Sequence, residues 1–298
     1  MTDVVDLPGG PLEYVDSGGD CAVVVLLHGL LMDATLWDAV VDDLSRDHRC
    51  IAPTLPLGAH RRPMPEDADV SLPGQARLVE QLLDHLDVHD VTLVGNDTGG
   101  AVAQVLLSGP APRIGRAVLA SCEAFDNLPP GLTGRALFLA GKMPPWAFAA
   151  FLQQLRLRVV RRLPLAFGWL TRRGDATTAG WIRPAMTRAG SGQAVRALRA
   201  VFSDRTLLER AAELLPGFTR PVLVVWASED RVMPPEHGRR LAGLFPHAEL
   251  VEIEDSYTLL PLDQPARFSA AVRTFVAAGP VRRSPGGTEH RPGAASRG

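Results

Sequence analysis

Five short, almost uninterrupted apolar runs punctuate the chain: Ala22–Leu27, Cys50–Ala52, Val91–Val94, Ala117–Ala120 and Val222–Trp226, each bounded by Gly, Pro, Asp or His. A sixth, Leu250–Ile253, is interrupted by Glu252. Continuous rather than alternating apolarity marks strands covered on both faces, as in a parallel sheet. Between the runs the period lengthens. Ala76, Val79, Leu82, Leu83 and Leu86 recur at helical spacing behind Ser71, and Phe268, Val272, Phe275 and Val276 do so behind Asp263. Both segments therefore read as capped helices. Strand and helix alternate, which predicts an α/β fold with a mostly parallel, doubly wound sheet.

The alternation stops between Ala124 and Leu215, where the pattern turns helical, with Trp146, Phe148, Phe151, Phe167, Trp169 and Trp181 interleaved. This segment holds 14 Arg or Lys against 5 Asp or Glu, a net +9, which leaves −11 for the rest of a chain whose total is −2. We read it as a helical cap, 124–215, inserted into a core domain of 1–123 and 216–279. Most of its aromatics are expected to pack a small core of their own. Trp146 and Trp169 are expected to line an opening as substrate-binding residues. The stretch 280–298, rich in Gly, Pro, Ser and Arg without periodicity, reads as a disordered tail.

With 46% hydrophobic and 21% charged residues in 298, the chain can bury a core of useful size. The near-zero total charge argues against a nucleic-acid partner, whose phosphates would call for a basic excess. No run reaches the about 18 apolar residues of a membrane span, and the first ten residues lack the basic and apolar regions of a signal peptide. Cys21, Cys50 and Cys122 cannot all pair, and each lies in or beside an apolar run that reads as buried strand. A reduced, cytoplasmic protein without stable membrane insertion is the expectation. The cysteines are too scattered for a metal cluster, and Gly99-Gly100 opens a helix without a phosphate-binding lysine, so neither metal nor other cofactor is expected.

The chemistry concentrates in Val91-Thr-Leu-Val-Gly-Asn-Asp-Thr-Gly-Gly-Ala101, a strand running through G-x-D-x-G into a helix. A side chain exposed on a sharp strand-to-helix turn needs small neighbours two residues away on either side, here Gly95 and Gly99. Asp97 then stands at the tip. The same aspartate also fits an ordinary helix N-cap. Leu26-Leu-His-Gly-Leu-Leu31, following an earlier strand, favours the first reading.

Together these residues resemble the α/β-hydrolase fold, specifically its aspartate-nucleophile branch, the haloalkane dehalogenases and soluble epoxide hydrolases. The resemblance covers about residues 11 to 279. It implies Asp97 as nucleophile, the backbone N–H groups of Leu30 and Thr98 as oxyanion hole, and Asp230 as the acid that orients a histidine. Where the family carries that histidine, in a loop like D-S-G-H, this chain reads Asp255-Ser-Tyr-Thr258. Thr258 stands in its place, and no other histidine is an easy substitute.

Two further departures bear on substrate. Thr98 and Leu30 occupy the positions where dehalogenases of this branch commonly hold halide with Trp and Asn. The epoxide hydrolases polarise their ring oxygen with two cap tyrosines, yet the only tyrosines here are Tyr14 and Tyr257, neither in the cap. Tyr257, next to Thr258, is a candidate substrate contact or proton donor. The sequence thus supports a hydrolase acting on a small or medium apolar molecule. A cofactor-free lyase, isomerase or cyclase using Asp97 as acid or base, and an inactive ligand-binding member of the fold, remain open beside it.

Overall fold

The computed structural model describes residues 2–278. The expected tail, 280–298, lies outside the described residues. Eight strands, β1 (Thr2–Leu7), β2 (Gly10–Asp16), β3 (Val23–Leu27), β4 (Arg49–Thr54), β5 (Val91–Asn96), β6 (Ile114–Ala120), β7 (Val222–Ala227) and β8 (Ala248–Ile253), form one sheet in the order β1-β2-β4-β3-β5-β6-β7-β8. From β4 to β8 every pairing is parallel, while β1–β2 and β2–β4 are antiparallel. All six apolar runs of the sequence are strands. Residues of β5 and β7 are buried throughout, as both-face coverage demands. The two N-terminal strands escaped the sequence reading because β1 and β2 bury alternate residues, and their polar faces break any apolar run.

The helices are α1 (Asp38–Leu44), α2 (Leu72–His85), α3 (Thr98–Leu107), α4 (Gly131–Ala140), α5 (Pro145–Gln153), α6 (Arg158–Arg161), α7 (Asp175–Ala185), α8 (Arg188–Val201), α9 (Leu207–Leu214), α10 (Pro235–Ala242), α11 (Leu260–Asp263) and α12 (Pro265–Ala277). Ser71 caps α2, its hydroxyl accepting from the Gly74 N–H at 3.3 Å. Asp263 does not cap α12, whose N-cap is Gln264. Its carboxylate is buried and instead accepts from Thr171 Oγ1 at 2.7 Å, the backbone N–H groups of Arg172 and Arg173 at 2.9 Å, and that of Tyr257 at 3.0 Å. Cys50 and Cys122 are buried as expected, whereas Cys21 is exposed because it precedes β3 in a surface turn.

Helices α4 to α9 lie between β6 and β7, covering the whole arginine-rich segment. Phe148, Phe167 and Trp181 are buried there. Contacts tie the segment to the sheet side: Arg172 pairs with Asp255 at 2.9 Å and with Glu229, Arg173 pairs with Asp255, and Trp181 Nε1 donates to Thr35 Oγ1 at 2.8 Å. The basic charge is therefore partly met by carboxylates that follow β7 and β8. Pairs this exposed contribute only about 0.2–1 kcal/mol each, so orientation rather than stability is their larger effect.

Candidate active site

Asp97 joins β5 to α3 with φ 55° and ψ −134°, a conformation sparsely populated by any residue with a side chain. Its surroundings hold it there. The Asp97 N–H donates to the Ser121 carbonyl at 3.1 Å, and Asn96 Nδ2 donates to the carbonyls of Ala120 at 2.9 Å and Thr258 at 2.8 Å. A Cβ on Gly95 would overlap the Gly99 carbonyl, and one on Gly99 would overlap that of Leu27. The two glycines of G-x-D-x-G are thus required by backbone meeting backbone. Asp97 also caps α3, since its Oδ1 accepts from the Thr98 N–H at 2.8 Å. The N-cap and the turn-tip readings turn out to be one geometry.

Gly29 passes directly over this carboxylate, where a Cβ would collide with Asp97 Oδ1. The neighbouring Leu30 N–H reinforces the pull of the Thr98 N–H and hydroxyl on the ionised form, yet burial dominates and raises the Asp97 pKa. His28, in the same turn, is fully buried and has no free nitrogen. Its Nε2 accepts the Leu55 N–H at 2.9 Å, which leaves the proton on Nδ1 to donate to the Gly29 carbonyl at 2.9 Å. Burial keeps the ring neutral.

Thr258 and Asp230 are brought together. Thr258 Oγ1 donates to Asp230 Oδ1 at 2.8 Å, and the same oxygen accepts the N–H groups of Val232 at 2.9 Å and Met233 at 2.8 Å. Asp230 Oδ2 is buried and makes no hydrogen bond to the described residues. Burial outweighs these donors and pushes the Asp230 pKa up to about 6.

A third buried acid joins Asp97 and Asp230, and the sequence reading passed over it. Glu123, three residues past β6, is 1% exposed, with Oε1 lying 2.7 Å from Thr98 Oγ1. That hydroxyl also lies 3.1 Å from Asp97 Oδ1. One hydroxyl proton satisfies only one of these two oxygens. The other contact becomes a hydrogen bond when Glu123 is protonated, donating to Thr98 Oγ1 while Thr98 donates to Asp97. Burial first, and the Asp97 charge second, raise the Glu123 pKa well above the carboxylate range, in keeping with this count. The available signal was an acid directly after an apolar run, in Ser121-Cys-Glu123.

Asp97 and Glu123 face a cavity walled by Leu30, Met32, Thr133, Leu137, Leu170 and Phe202. An adjoining cavity shares Leu30, Thr133, Leu137 and Leu170 with it and continues past Phe151, Leu155 and Phe167. The walls are almost wholly apolar. Trp146, Trp169 and Tyr257 are elsewhere. Trp146 is 76% exposed at the start of α5, Trp169 is half-buried against the core, and the Tyr257 ring is held between the guanidinium groups of Arg172 at 4.5 Å and Arg231 at 4.9 Å. None of the three lines either cavity.

An elbow, a facing His-Gly turn and an acid after β7 on one mostly parallel sheet define a class, and the chain belongs to the alpha/beta hydrolase fold family, whose profile matches residues 22–265. Within it, the chain is similar to haloalkane dehalogenase 2 of Mycobacterium tuberculosis, 26% identical over 271 residues, 90% of this chain and 92% of that protein. An uncharacterised protein of Mycobacterium tuberculosis is 28% identical over 272 residues, covering 87% of this chain and 76% of its own. In fold it is similar to the enol-lactonase of Burkholderia xenovorans LB400, with a TM-score of 0.70 at 21% identity, covering 92% of this chain and all (100%) of that one. No helix among the described residues is long and apolar enough to cross a membrane.

Proposed function

We propose that the protein is a hydrolase of a small or medium apolar molecule, with Asp97 as the nucleophile, Asp230 in the acid position and Thr258 where the branch otherwise carries histidine. One observation carries the reading: the Asp97 carboxylate, with Oδ1 turned to the Thr98 N–H, borders an apolar cavity. The likeness to a haloalkane dehalogenase over 90% of the chain supports it. Asp97 attacks carbon, the leaving group departs with the bond pair, and an ester forms on the side chain. Water then adds to the ester carbon, the negative charge gathers on Oδ1 opposite the Thr98 and Leu30 N–H groups, and collapse releases an alcohol. The segment from α4 to α9 serves as the cap, supplying Thr133 and Leu137 from α4 and Leu170 from the connection between α6 and α7 to the substrate wall. Three unpaired thiols support a reducing, cytoplasmic setting.

The hydroxyl bridge between Asp97 and Glu123 favours a second reading, in which Asp97 takes up a proton from substrate carbon in a cofactor-free lyase or isomerase. A single turnover in heavy-oxygen water separates the two. In the ester route the label enters Asp97 and the product oxygen comes from the protein. Turnover that leaves Asp97 unlabelled, as proton transfer by Asp97 requires, would exclude the ester.

A further inference from the structure

We propose that Glu123 is a catalytic residue that protonates the leaving atom when Asp97 is alkylated and recovers that proton from the water that frees Asp97. The inference rests on Asp97 being the nucleophile and goes beyond it, because it supplies the proton donor and the water activator that the site otherwise lacks. Four observations carry it. Glu123 and Asp97 line the same cavity. Glu123 Oε2 is buried with no hydrogen bond to the described residues, whereas Oε1 is engaged by Thr98. The Gln104 amide fixes the Glu123 carbonyl at 2.6 Å and so anchors the backbone that carries the side chain. The bridge through Thr98 accommodates one proton on the pair of acids, and burial together with the Asp97 charge favours Glu123 as its holder.

The bookkeeping of protons closes over the cycle. In the first step the Asp97 carboxylate forms a bond to carbon, the bond from that carbon to oxygen breaks, and the departing oxygen takes the Glu123 proton. Asp97 is then a neutral ester and Glu123 a carboxylate. In the second step water adds to the ester carbon while Glu123 takes one of its protons, and the alcohol leaves. Asp97 is again charged and Glu123 again protonated. The same swap of roles by one carboxyl group, acid and then base, runs glycoside hydrolysis through a covalent intermediate.

This sequence selects a substrate class. A leaving oxygen needs the Glu123 proton; a halide does not. After a halide departs, Glu123 is still protonated and cannot accept a proton from water, so the ester persists. The proposal therefore assigns the site to apolar molecules whose leaving atom is oxygen, with a strained cyclic ether as the simplest probe.

The test compares styrene oxide with phenethyl bromide by intact-protein and peptide mass spectrometry, wild type beside Glu123→Gln. The wild type is expected to turn styrene oxide into its diol without lasting adduct and to keep a phenethyl group on Asp97 after exposure to the bromide. In Glu123→Gln, reaction with the epoxide should fall by about 100-fold or more while labelling by the bromide is unchanged. A purely structural role would depress both. Equal loss with both probes, no loss with either, or a wild-type bromide adduct that hydrolyses as fast as the epoxide turns over would each overturn the role of Glu123. Failure of both probes to label or turn over on wild-type Asp97 would instead overturn the nucleophile. Should the Gln variant melt early, Glu123→Asp keeps a carboxyl group but withdraws it by one methylene, and must show the same selective loss.

Discussion

The Thr258 hydroxyl donates to Asp230 Oδ1 at 2.8 Å, and both side chains are buried. Thr258 thus stands in the acid's reach yet has no group able to take a proton near neutral pH. Asp230 is left orienting a hydroxyl, with its second oxygen without a partner among the described residues.

Thr258→His should install a base that Asp230 can orient. A covalent alkyl adduct that persists on wild-type Asp97 should then be released as alcohol, with the rate raised on the order of 100-fold if the imidazole reaches the ester. The larger ring at a fully buried position should cost about 1–3 kcal/mol of stability through overpacking. Time-resolved mass spectrometry of the pre-formed adduct reads the first effect, and thermal melting the second. An adduct as long-lived as in wild type, in a folded variant, would speak against water attack at this ester.

Asp97→Asn retains the side-chain shape and the Thr98 contact but removes the carboxylate proposed as the nucleophile. Turnover should fall by roughly 1,000-fold or more. The melting temperature should hold or rise, because burial disfavours the charge that the substitution removes. Activity assays and melting curves on the same preparation, with deamidation checked by mass, decide the matter, and wild-type activity in a true Asn protein would remove Asp97 from the mechanism.

Asp230 carries a pH signature. Its folded pKa, raised by burial from 3.8 to about 6, means that the folded state binds a proton before the unfolded chain does. Its contribution to stability therefore grows as pH falls through 6 and is lost as pH rises. His60 works in the opposite direction over the same interval, since burial lowers its pKa from 6.5 to about 4. The two partly cancel in wild type, so the informative quantity is a difference. Between about pH 7 and about pH 5, Asp230→Asn should lose on the order of 1 kcal/mol relative to wild type, a few degrees in melting temperature. Parallel melting curves for the two proteins across that range would show that Asp230 titrates normally.

Leu137 belongs to the walls of both cavities above Asp97. Leu137→Trp should narrow their junction and lower kcat/KM for long apolar substrates by about tenfold more than for short ones, the consequence of losing a methylene-scale fit. A homologous substrate series measures it. Uniform loss across chain lengths would locate the substrate elsewhere.

The sheet was legible in the sequence because a strand covered on both faces carries a run of consecutive apolar residues, and β3 to β7 each contain one. Strands β1 and β2, buried on alternate residues, carry no such mark. The elbow was legible too, since a turn in which backbone packs on backbone admits only glycine at 95 and 99. Tertiary structure decided the rest. Whether Trp146 lines a pocket depends on which face of α5 carries it, and it lies on the solvent side while Phe148 and Leu152 are buried. Tyr257 is drawn away by Arg172 and Arg231, residues 257 − 172 = 85 and 257 − 231 = 26 positions earlier in the chain. Glu123 meets Thr98 only because β5 and β6 are neighbours in the sheet, which sets the loop after one against the helix after the other. Local sequence dictates which backbone shapes are sterically allowed; the charge, protonation and partners of a buried acid are fixed only by what the fold packs around it.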